Sequence, residues 1–376
     1  MKILVVNWQD IRNPWGGGAE VHLHEIFKRI VRRGHAVTLF CSSFPGAADE
    51  EQVDGIRVIR QGGRNVFNFI VPYRYHSQFS REGFDVVVDD LNKIPFYTPW
   101  YVSEPLVGII HHLFGGSIFL EAPFVAASYV AIAERLAAGV YRNTPMAVVS
   151  ESTQRELIGL GFREDAISIV HNCVDHSVYR PSMEIPTGPP VIGHLGRLKK
   201  YKGVDHLIRA FQIVRMEIPE ARLRIVGEGD FRPALEKLAD ELALKDAVEF
   251  TGYVGTAETV RIMQRMHVAV NCSAKEGWGL TVLEANACGV PVIASDVPGL
   301  RDSVLDEKTG LLYEYGNIEQ LAQKILLVLR DQHLRTRLRG EALGWARSFD
   351  WEDSAEKMIA VLERAIATKQ QRGKGR

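Results

Sequence analysis

Two glutamates eight positions apart, Glu276 and Glu284, flank a glycine-bearing loop. Glu276 precedes the loop, and Glu284 falls on the helix that the loop is predicted to start. Carboxylates accept hydrogen bonds from hydroxyl groups, and free N–H groups at a helix start bind phosphate. We therefore expect Glu276 to bind sugar hydroxyls, Glu284 to bind the two hydroxyls of a ribose, and the loop to hold phosphate. The loop residues assigned to this site are Gly277, Trp278, Gly279, Leu280 and Thr281. Space filling explains Trp278 equally well.

Two cations, Arg197 and Lys202, lie in a segment that follows a predicted strand and begins with Gly196. A guanidinium beside an ammonium suits the charge of a diphosphate, although cations are also common on protein surfaces. Gly227 and Glu228 follow another predicted strand. A glycine there permits close packing against a nucleotide, and a tight turn would use it too.

In the first half, Gly16, Gly17 and Gly18 follow the first predicted strand at the start of a helix. Their backbone can approach a ligand closely, and the helix start favours a phosphate or an incoming oxygen nucleophile. We assign all three to donor binding, while a turn without a ligand is the alternative. Glu20 falls in the first helical turn, where stabilisation of the helix dipole explains it as well as a substrate contact does.

His111 follows a predicted strand and is placed to contact a sugar hydroxyl or a phosphate oxygen. A hydrogen-bonded loop histidine is the plainer alternative. The Asp89-Asp90 pair also ends a strand but lacks the spacing of a metal-binding carboxylate cluster, so we interpret it as part of the loop structure and predict no metal site.

Short runs rich in β-branched residues alternate with helical segments, which predicts parallel strands joined by crossover helices. One helix is predicted at 19–33, where apolar residues recur with helical spacing. Strands are predicted in the first half at 3–7, 36–41, 86–89, 106–110, 146–150 and 167–170. Strands are predicted in the second half at 191–195, 223–226, 248–250, 268–271 and 290–294.

The proline-rich stretch 179–190 predicts a linker between two domains of an α/β protein, both of them Rossmann-like. We place the first domain at 1–180 and the second at 181–350. A helix follows at about 351–368, and the chain is expected to continue as a polar, mobile tail. Facing domains would bring the carboxyl ends of both sheets to a central cleft.

Composition and charge limit the partners and the cellular compartment that we expect for the chain. A formal net charge of -1 gives no argument for nucleic acid, and four scattered cysteines suit a reducing cytoplasm. The chain starts directly on a predicted strand, so we expect no secretion signal. Charged residues, among them Glu121 and Glu134, interrupt the apolar stretch 118–140, which is therefore predicted to be a buried or interfacial helix rather than a membrane span.

These motifs, in this order, closely resemble the GT4 family of retaining glycosyltransferases over nearly the whole chain. The matching landmarks are Gly16–Glu20, His111, Ser150–Ser152, Asn172–Asp175, Gly196–Arg197 with Lys202–Gly203, Gly227–Gly229, and the pair Glu276 and Glu284. One departure is Cys173, which stands where the family commonly has glycine and so puts a positive φ at that turn in doubt.

The resemblance implies the GT-B fold, with an acceptor-side domain at 1–180 and a nucleotide-sugar-binding domain at 181–350. It also implies that the closing helix at about 351–368 packs back on the first domain. By the same resemblance, Arg197 and Lys202 would neutralise the diphosphate, Glu276 would orient the donor sugar, Glu284 would hold the ribose, and His111 would approach the sugar. It also implies retention of the anomeric configuration. Because fixed cations and N–H groups would meet the negative charge on the departing diphosphate, we expect that no metal ion or other cofactor is required.

GDP-mannose and UDP-hexoses both remain open as donors, and a glycan, a polyprenyl-linked sugar or a small molecule as acceptor. A nucleotide-sugar epimerase on the same scaffold, or a noncatalytic nucleotide-sugar-binding protein, is the alternative function. We expect a cytoplasmic protein, with peripheral contact at the inner membrane face as a further hypothesis.

Overall fold

The computed structural model describes residues 1–91, 94–120, 123–183 and 188–374. The chain divides into two compact units. The first comprises Met1–Ile118, Pro123–Asn172 and the chain from Trp351 onward, and the second includes Cys173–Asp350. Residues 121 and 122 of the predicted apolar helix and residues 184–187 of the predicted linker lie outside the described residues.

The first unit contains an eight-stranded sheet with the order β3-β4-β2-β1-β5-β6-β7-β8. All neighbouring strands are parallel except β3 and β4, which are antiparallel. The strands β1–β8 are Lys2–Val6, Ala36–Cys41, Glu50–Val53, Ile56–Arg60, Val86–Asp90, Leu106–Ile110, Met146–Val148 and Ile167–Ile169. The central strands are almost wholly buried, as apolar runs covered by helices on both faces should be.

Two predicted strands of the first unit match the structure to the residue, β2 and β6. Strand β7 ends before its predicted end at Ser150, because the Ser150 hydroxyl accepts a hydrogen bond from Thr153 N and caps the next helix. The β3–β4 hairpin was not predicted. Its turn is Asp54-Gly55, and both residues have positive φ, so the Asp-Gly pair was the available signal.

Helices α1–α4 of this unit are Gly18–Arg32, Phe67–Ser77, Phe124–Tyr141 and Glu151–Gly159. Helix α1 buries Leu23, Ile26, Phe27 and Ile30, the stripe that its spacing predicted.

Helix α3 does not fit the buried alternative of its prediction, since most of its surface is exposed. Among the described residues it is the one helix that is long and apolar enough to cross a membrane, judged by length and composition only. Small residues such as Ala127 and Ala137 make its buried contacts. Its exposed large apolar side chains are Phe124, Val125, Tyr129, Ile132 and Leu136.

The second unit contains a six-stranded parallel sheet with the order β11-β10-β9-β12-β13-β14. The strands β9–β14 are Val191–Leu195, Arg222–Val226, Val248–Gly252, Val268–Asn271, Val292–Ser295 and Gly310–Tyr313. Strands β9 and β12 match their predictions to the residue. Strand β13 starts after the predicted Val290, because Val290 N closes the preceding helix by bonding Ala285 O. The four-residue β14 was not predicted.

Helices α5–α11 of the second unit are Val204–Glu217, Arg232–Glu241, Thr256–Met263, Leu280–Ala287, Leu300–Ser303, Ile318–Arg330 and Gln332–Arg347. The last helix, α12, spans Trp351–Lys374 and belongs to the first unit. It packs on α1, where Arg29 Nε lies 2.9 Å from Glu352 and Arg33 lies 3.1 Å from Glu356. The helix continues through most of the tail that we predicted to be mobile.

The loops that follow β9 and β10 are in backbone contact. A Cβ atom added to Gly227 would lie 2.0 Å from the Gly196 carbonyl oxygen, and one added to Gly229 would lie 2.1 Å from that of Leu198. Leu198 N also donates a hydrogen bond to Glu228 O at 2.8 Å. Contact between the two loops therefore already requires glycine at 227 and 229, without any ligand.

We predict that Gly229→Ala lowers the free energy of unfolding by about 1 to 3 kcal/mol, because the new methyl group overlaps the rigid Leu198 carbonyl. Urea denaturation measures this change. The matched control is Gly340→Ala on the exposed surface of α11, where nothing lies near the added atom and a gain of about 0.5 to 1 kcal/mol is expected. Equal stabilities of the wild-type protein and Gly229→Ala would contradict the prediction.

Candidate active site

Strands β10 and β12 flank β9 in the second unit, so the strand order reverses at β9. Loops that leave the carboxyl ends of β9 and β12 therefore meet at the edge of the sheet where open α/β sheets bind ligands. The first of these loops carries Arg197 and Lys202, and the second carries Ser273 and Glu276. Topology thus brings together side chains that are far apart in sequence.

Lys202 and Glu276 form an ion pair at this edge. Their side chains are 15% and 16% exposed, so the pair is largely shielded from water. Ser273 Oγ donates a further hydrogen bond to the Glu276 carboxylate at 2.8 Å. Burial alone would lower the pKa of the Lys202 ammonium, but the neighbouring Glu276 carboxylate raises it above its ordinary value. The site therefore presents a charged ammonium that is largely shielded from water.

Helix α8 starts beside this pair. Its N-cap is Gly279, with φ +84°, and no side chain of the described residues caps the helix. The first N–H groups of α8, at Leu280 and Thr281, are therefore left for an anion.

Glu284 lies on the second turn of α8, as predicted. Burial raises the pKa of its carboxyl to about 7, although a hydrogen bond with the Tyr179 hydroxyl opposes the rise. Part of the residue keeps contact with solvent. A partly protonated carboxyl in such a recess can accept hydrogen bonds from ligand hydroxyls, at the cost of releasing its proton.

The other predicted residues of this unit have varied environments. Arg197 is exposed and Gly277 is partly exposed. Trp278 is only 2% exposed and packs edge-on against Phe349 at 5.1 Å between ring centroids, which favours the space-filling alternative. Glu228 forms an ion pair with Arg232, with a 2.5 Å separation.

His194, on β9, was missed by the sequence analysis. It is 1% exposed, and its Nδ1–H donates to the Val270 carbonyl at 3.1 Å. Burial lowers its pKa to about 4, so the ring is neutral at neutral pH. Its Nε2 has no hydrogen-bond partner within the part of the chain that the structure describes. A single histidine inside an apolar strand is not a sequence signal for a functional residue.

The glycine loop of the first unit starts α1, as predicted. Gly17 is the N-cap, and its N–H donates to the Glu20 carboxylate at 2.6 Å. Gly16 N bonds Asn13 O at 2.9 Å, and Gly18 is the first helical residue. Glu20 is 4% exposed, and burial raises its pKa, although the bond from Gly17 opposes the rise.

His111 lies at the carboxyl edge of the same sheet and pairs with Asp90. The His111 Nε2 atom is 3.1 Å from Oδ1 and 3.2 Å from Oδ2 of Asp90. The neighbouring Asp89 faces elsewhere, since its carboxylate accepts hydrogen bonds from the Thr98 and Tyr141 hydroxyls. Asp89 and Asp90 are the last two residues of β5, so our interpretation of the pair as loop structure was wrong, and the two carboxylates have different partners. Among the described residues no group of three acidic, histidine or cysteine side chains is placed to hold a metal ion.

The turn at Cys173 has no positive φ, so the cysteine there is unstrained. Its Sγ–H donates to the Asp350 carbonyl at 3.2 Å. Cysteine in place of the family's glycine therefore causes no backbone strain at this turn.

Two family models match the chain. The model for glycosyltransferase family 4 matches residues 16–178, and the model for glycosyl transferases group 1 matches residues 175–345. Together they span residues 16–345, which include every predicted site residue. The chain belongs to the GT4-type glycosyltransferases.

Relatives of this GT4-type protein include a D-inositol 3-phosphate glycosyltransferase of Corynebacterium urealyticum, which is 33% identical over 52% of the chain and 47% of that protein. The chain thus matches about half the length of this relative. An uncharacterized glycosyltransferase of Methanocaldococcus jannaschii is 24% identical over 97% of the chain and 99% of that protein.

Solved structures establish the fold of this GT4-type protein as GT-B. Sucrose-phosphate synthase from Thermosynechococcus elongatus superposes with a TM-score of 0.82 at 22% identity, covering 98% of this chain and 99% of that one. HepE of Anabaena, in complex with UDP-glucose, superposes with a TM-score of 0.75 at 20% identity, covering 99% and 100%. The predicted fold class is confirmed.

The raised pKa of Glu284 predicts a pH dependence of stability. The folded state binds the carboxyl proton more tightly than the unfolded chain, so the free energy of unfolding should fall as pH rises from about 4.5 to about 7. Glu284→Gln should remove roughly 2 kcal/mol of this fall.

Urea denaturation of both proteins across this pH range measures the difference, in which the titration of all other groups cancels. The exposed Glu319→Gln on α10 is the control and should keep the wild-type slope. Parallel curves for the wild-type protein and Glu284→Gln would contradict the assignment.

Proposed function

We propose that this protein is a retaining glycosyltransferase that moves a hexosyl unit from a nucleotide-diphosphate sugar to a hydroxyl group of an acceptor. The observation that carries the proposal is the convergence of Lys202, Glu276 and the uncapped start of α8 at one sheet edge of the second unit. This combination offers a cation and N–H donors for a diphosphate beside a carboxylate for a sugar.

Each predicted role has support in the geometry of this unit. Lys202 and the α8 N–H groups would meet the charge of the diphosphate. Arg197, which is exposed and close to Lys202 in sequence, would add a second cation. Glu284, which is recessed on α8, would accept hydrogen bonds from the ribose hydroxyls. Glu276, anchored by Ser273, would orient the sugar.

In the proposed reaction, the acceptor oxygen forms a bond to the anomeric carbon while the bond from that carbon to the diphosphate oxygen breaks. Attack from the same face as the departing group retains the anomeric configuration, and the diphosphate oxygen takes the acceptor proton. Fixed cations and N–H groups stabilise the negative charge that develops on the diphosphate. We therefore propose that no metal ion is required.

A donor panel tests this function. Purified protein is incubated with UDP-glucose, other UDP-hexoses or GDP-mannose, each with and without acceptors, and nucleotide release and sugar products are measured. The acceptor set contains inositol phosphates, because relatives of the chain are named D-inositol 3-phosphate glycosyltransferases. It also contains glycans and polyprenyl-linked sugars. Product formation with the same anomeric configuration, unaffected by EDTA, is expected. Epimerised donor without acceptor, or tight donor binding without turnover, would instead support the epimerase or the noncatalytic protein.

We predict that Lys202→Met lowers kcat/KM by roughly 10²-fold to 10³-fold, because the diphosphate loses a preorganised cation. Lys200→Met, which changes an exposed lysine in the same turn, is the matched control and should keep wild-type kinetics. Wild-type turnover by folded Lys202→Met would contradict the assignment.

Loss of the Lys202 cation also leaves the Glu276 carboxylate without its ion-pair partner, which lowers stability on its own. The double variant Lys202→Met/Glu276→Gln separates the two effects. It should recover much of the thermal stability lost by Lys202→Met and none of the transfer activity.

We further propose that the protein contacts a lipid surface through α3 and takes a lipid-linked acceptor. The support is the exposed apolar face of α3, beside which the exposed Trp100 ring stacks on Tyr97 at 5.0 Å between centroids. Tyr97 Oη in turn donates to the Ala133 carbonyl of α3. Aromatic side chains next to an apolar helix face are typical of segments that lie in the membrane interface.

We predict that Ile132→Gln/Leu136→Gln weakens binding to phosphatidylglycerol-containing vesicles by about tenfold or more, because two exposed apolar side chains no longer enter the lipid. Vesicle co-sedimentation measures it. The control is Leu327→Gln, which changes a comparably exposed leucine on α10. Absence of vesicle binding by the wild-type protein would reject the lipid contact and leave the transfer reaction untouched.

A further inference from the structure

Two acidic side chains, Asp90 and Glu20, lie around His111 in the first unit. Asp90, at the end of β5, is fully buried and holds Nε2 of the imidazole with both carboxylate oxygens. Glu20, in the first turn of α1, is also buried, and its charge acts on the same ring. Two acidic groups thus face one imidazole in a region that is nearly closed to water.

Neighbouring groups complete this environment. His22 of α1 packs edge-on against the His111 ring, with 5.1 Å between ring centroids. Burial lowers the pKa of His22 well below its ordinary value, so this ring stays neutral, and its Nε2–H donates to the Val170 carbonyl at 3.0 Å. The Thr153 hydroxyl of α4 donates to the His111 carbonyl oxygen. His111 is therefore the one ring of the two that has carboxylate neighbours.

One side of the His111 ring remains accessible. About a tenth of its side chain is exposed. Nδ1 has no hydrogen-bond partner within the described part of the chain, whereas Nε2 is held by Asp90. In the imidazolium both nitrogens carry hydrogen, so a ring held through Nε2 offers Nδ1–H as a charged donor.

We infer that Asp90 is a positioning residue that fixes the His111 ring through Nε2 and keeps it in the imidazolium form, so that Nδ1–H is offered to a substrate oxygen. The inference rests on the proposed function for the identity of that oxygen, a sugar hydroxyl or phosphate oxygen. Glu20 adds negative charge from α1 and holds the glycine loop through Gly17 N. The burial of the ring opposes its charge, and Asp90 outweighs this effect, so the pKa of His111 is raised.

Histidine-selective nuclear magnetic resonance of the full chain tests the charge state without any substrate. The His111 signals, assigned with His111→Gln, should titrate above the ordinary value of 6.5 in the wild-type protein. Asp90→Asn should lower the pKa of His111 by about one unit or more, and Glu20→Gln by less, because only Asp90 bonds the ring. Asp85→Asn, beside the opposite end of β5, is the matched control and should leave the titration unchanged.

A wild-type His111 that is neutral at pH 7 overturns the inference, even if Asp90→Asn fails to fold. An unchanged His111 titration in folded Asp90→Asn overturns it as well. A merely structural role of Asp90 would lower thermal stability without moving this titration.

Transfer kinetics provide the second readout. If the imidazolium is the active form, kcat/KM of the wild-type protein falls as pH rises through the pKa of His111. In Asp90→Asn this alkaline limb should move to lower pH, with a loss of several-fold at pH 7.5 that approaches tenfold well above both pKa values, in line with a shift of about one unit. If the wild-type protein transfers no sugar, the proposed function fails, and the titration still decides the role of Asp90.

Discussion

The ion pair between Lys202 and Glu276 is the interaction on which the site of the second unit depends. Removing two opposite charges from water costs several kcal/mol per ion unless each finds a partner. The loops after β9 and β12 must therefore stay close enough for the pair to form. In the proposed reaction the diphosphate would share the Lys202 ammonium with Glu276, so the pair that holds the two loops together would also take part in binding the donor.

Backbone contact is the second constraint, and it changes the interpretation of the glycines. Gly227 and Gly229 are needed because their loop touches the carbonyls of the loop after β9. Gly299 has a similar contact, since a Cβ atom there would lie 2.2 Å from the Glu276 carbonyl oxygen. Glycines that sequence motifs associate with ligand binding thus act here by holding the ion-pair loops in place.

The buried parallel strands could be predicted from sequence because apolar runs bounded by turns are distinctive, and four of them match to the residue. The strand β3 could not, since Glu50 and Glu51 make it polar, and β14 could not, since its sequence Gly-Leu-Leu-Tyr contains no β-branched residue. The residue types of the donor site were predictable from local motifs, but the contact of Lys202 with Glu276 depends on strand order. The neutral His194 and the pairing of Asp90 with His111 likewise need the three-dimensional neighbours, because each side chain alone has a plainer explanation.

Helix α12 returns to the first unit after the whole second unit has been traced, so the first unit is built from segments distant in the chain. During synthesis on a ribosome, the second unit is complete before the partner of α1 has emerged. The face of α1 that contacts α12, which includes Arg29 and Arg33, is therefore exposed to solvent until α12 has been synthesised. Translation speed over α12, and any chaperone that shields this face, would therefore govern the yield of native first unit while leaving the second unit unaffected.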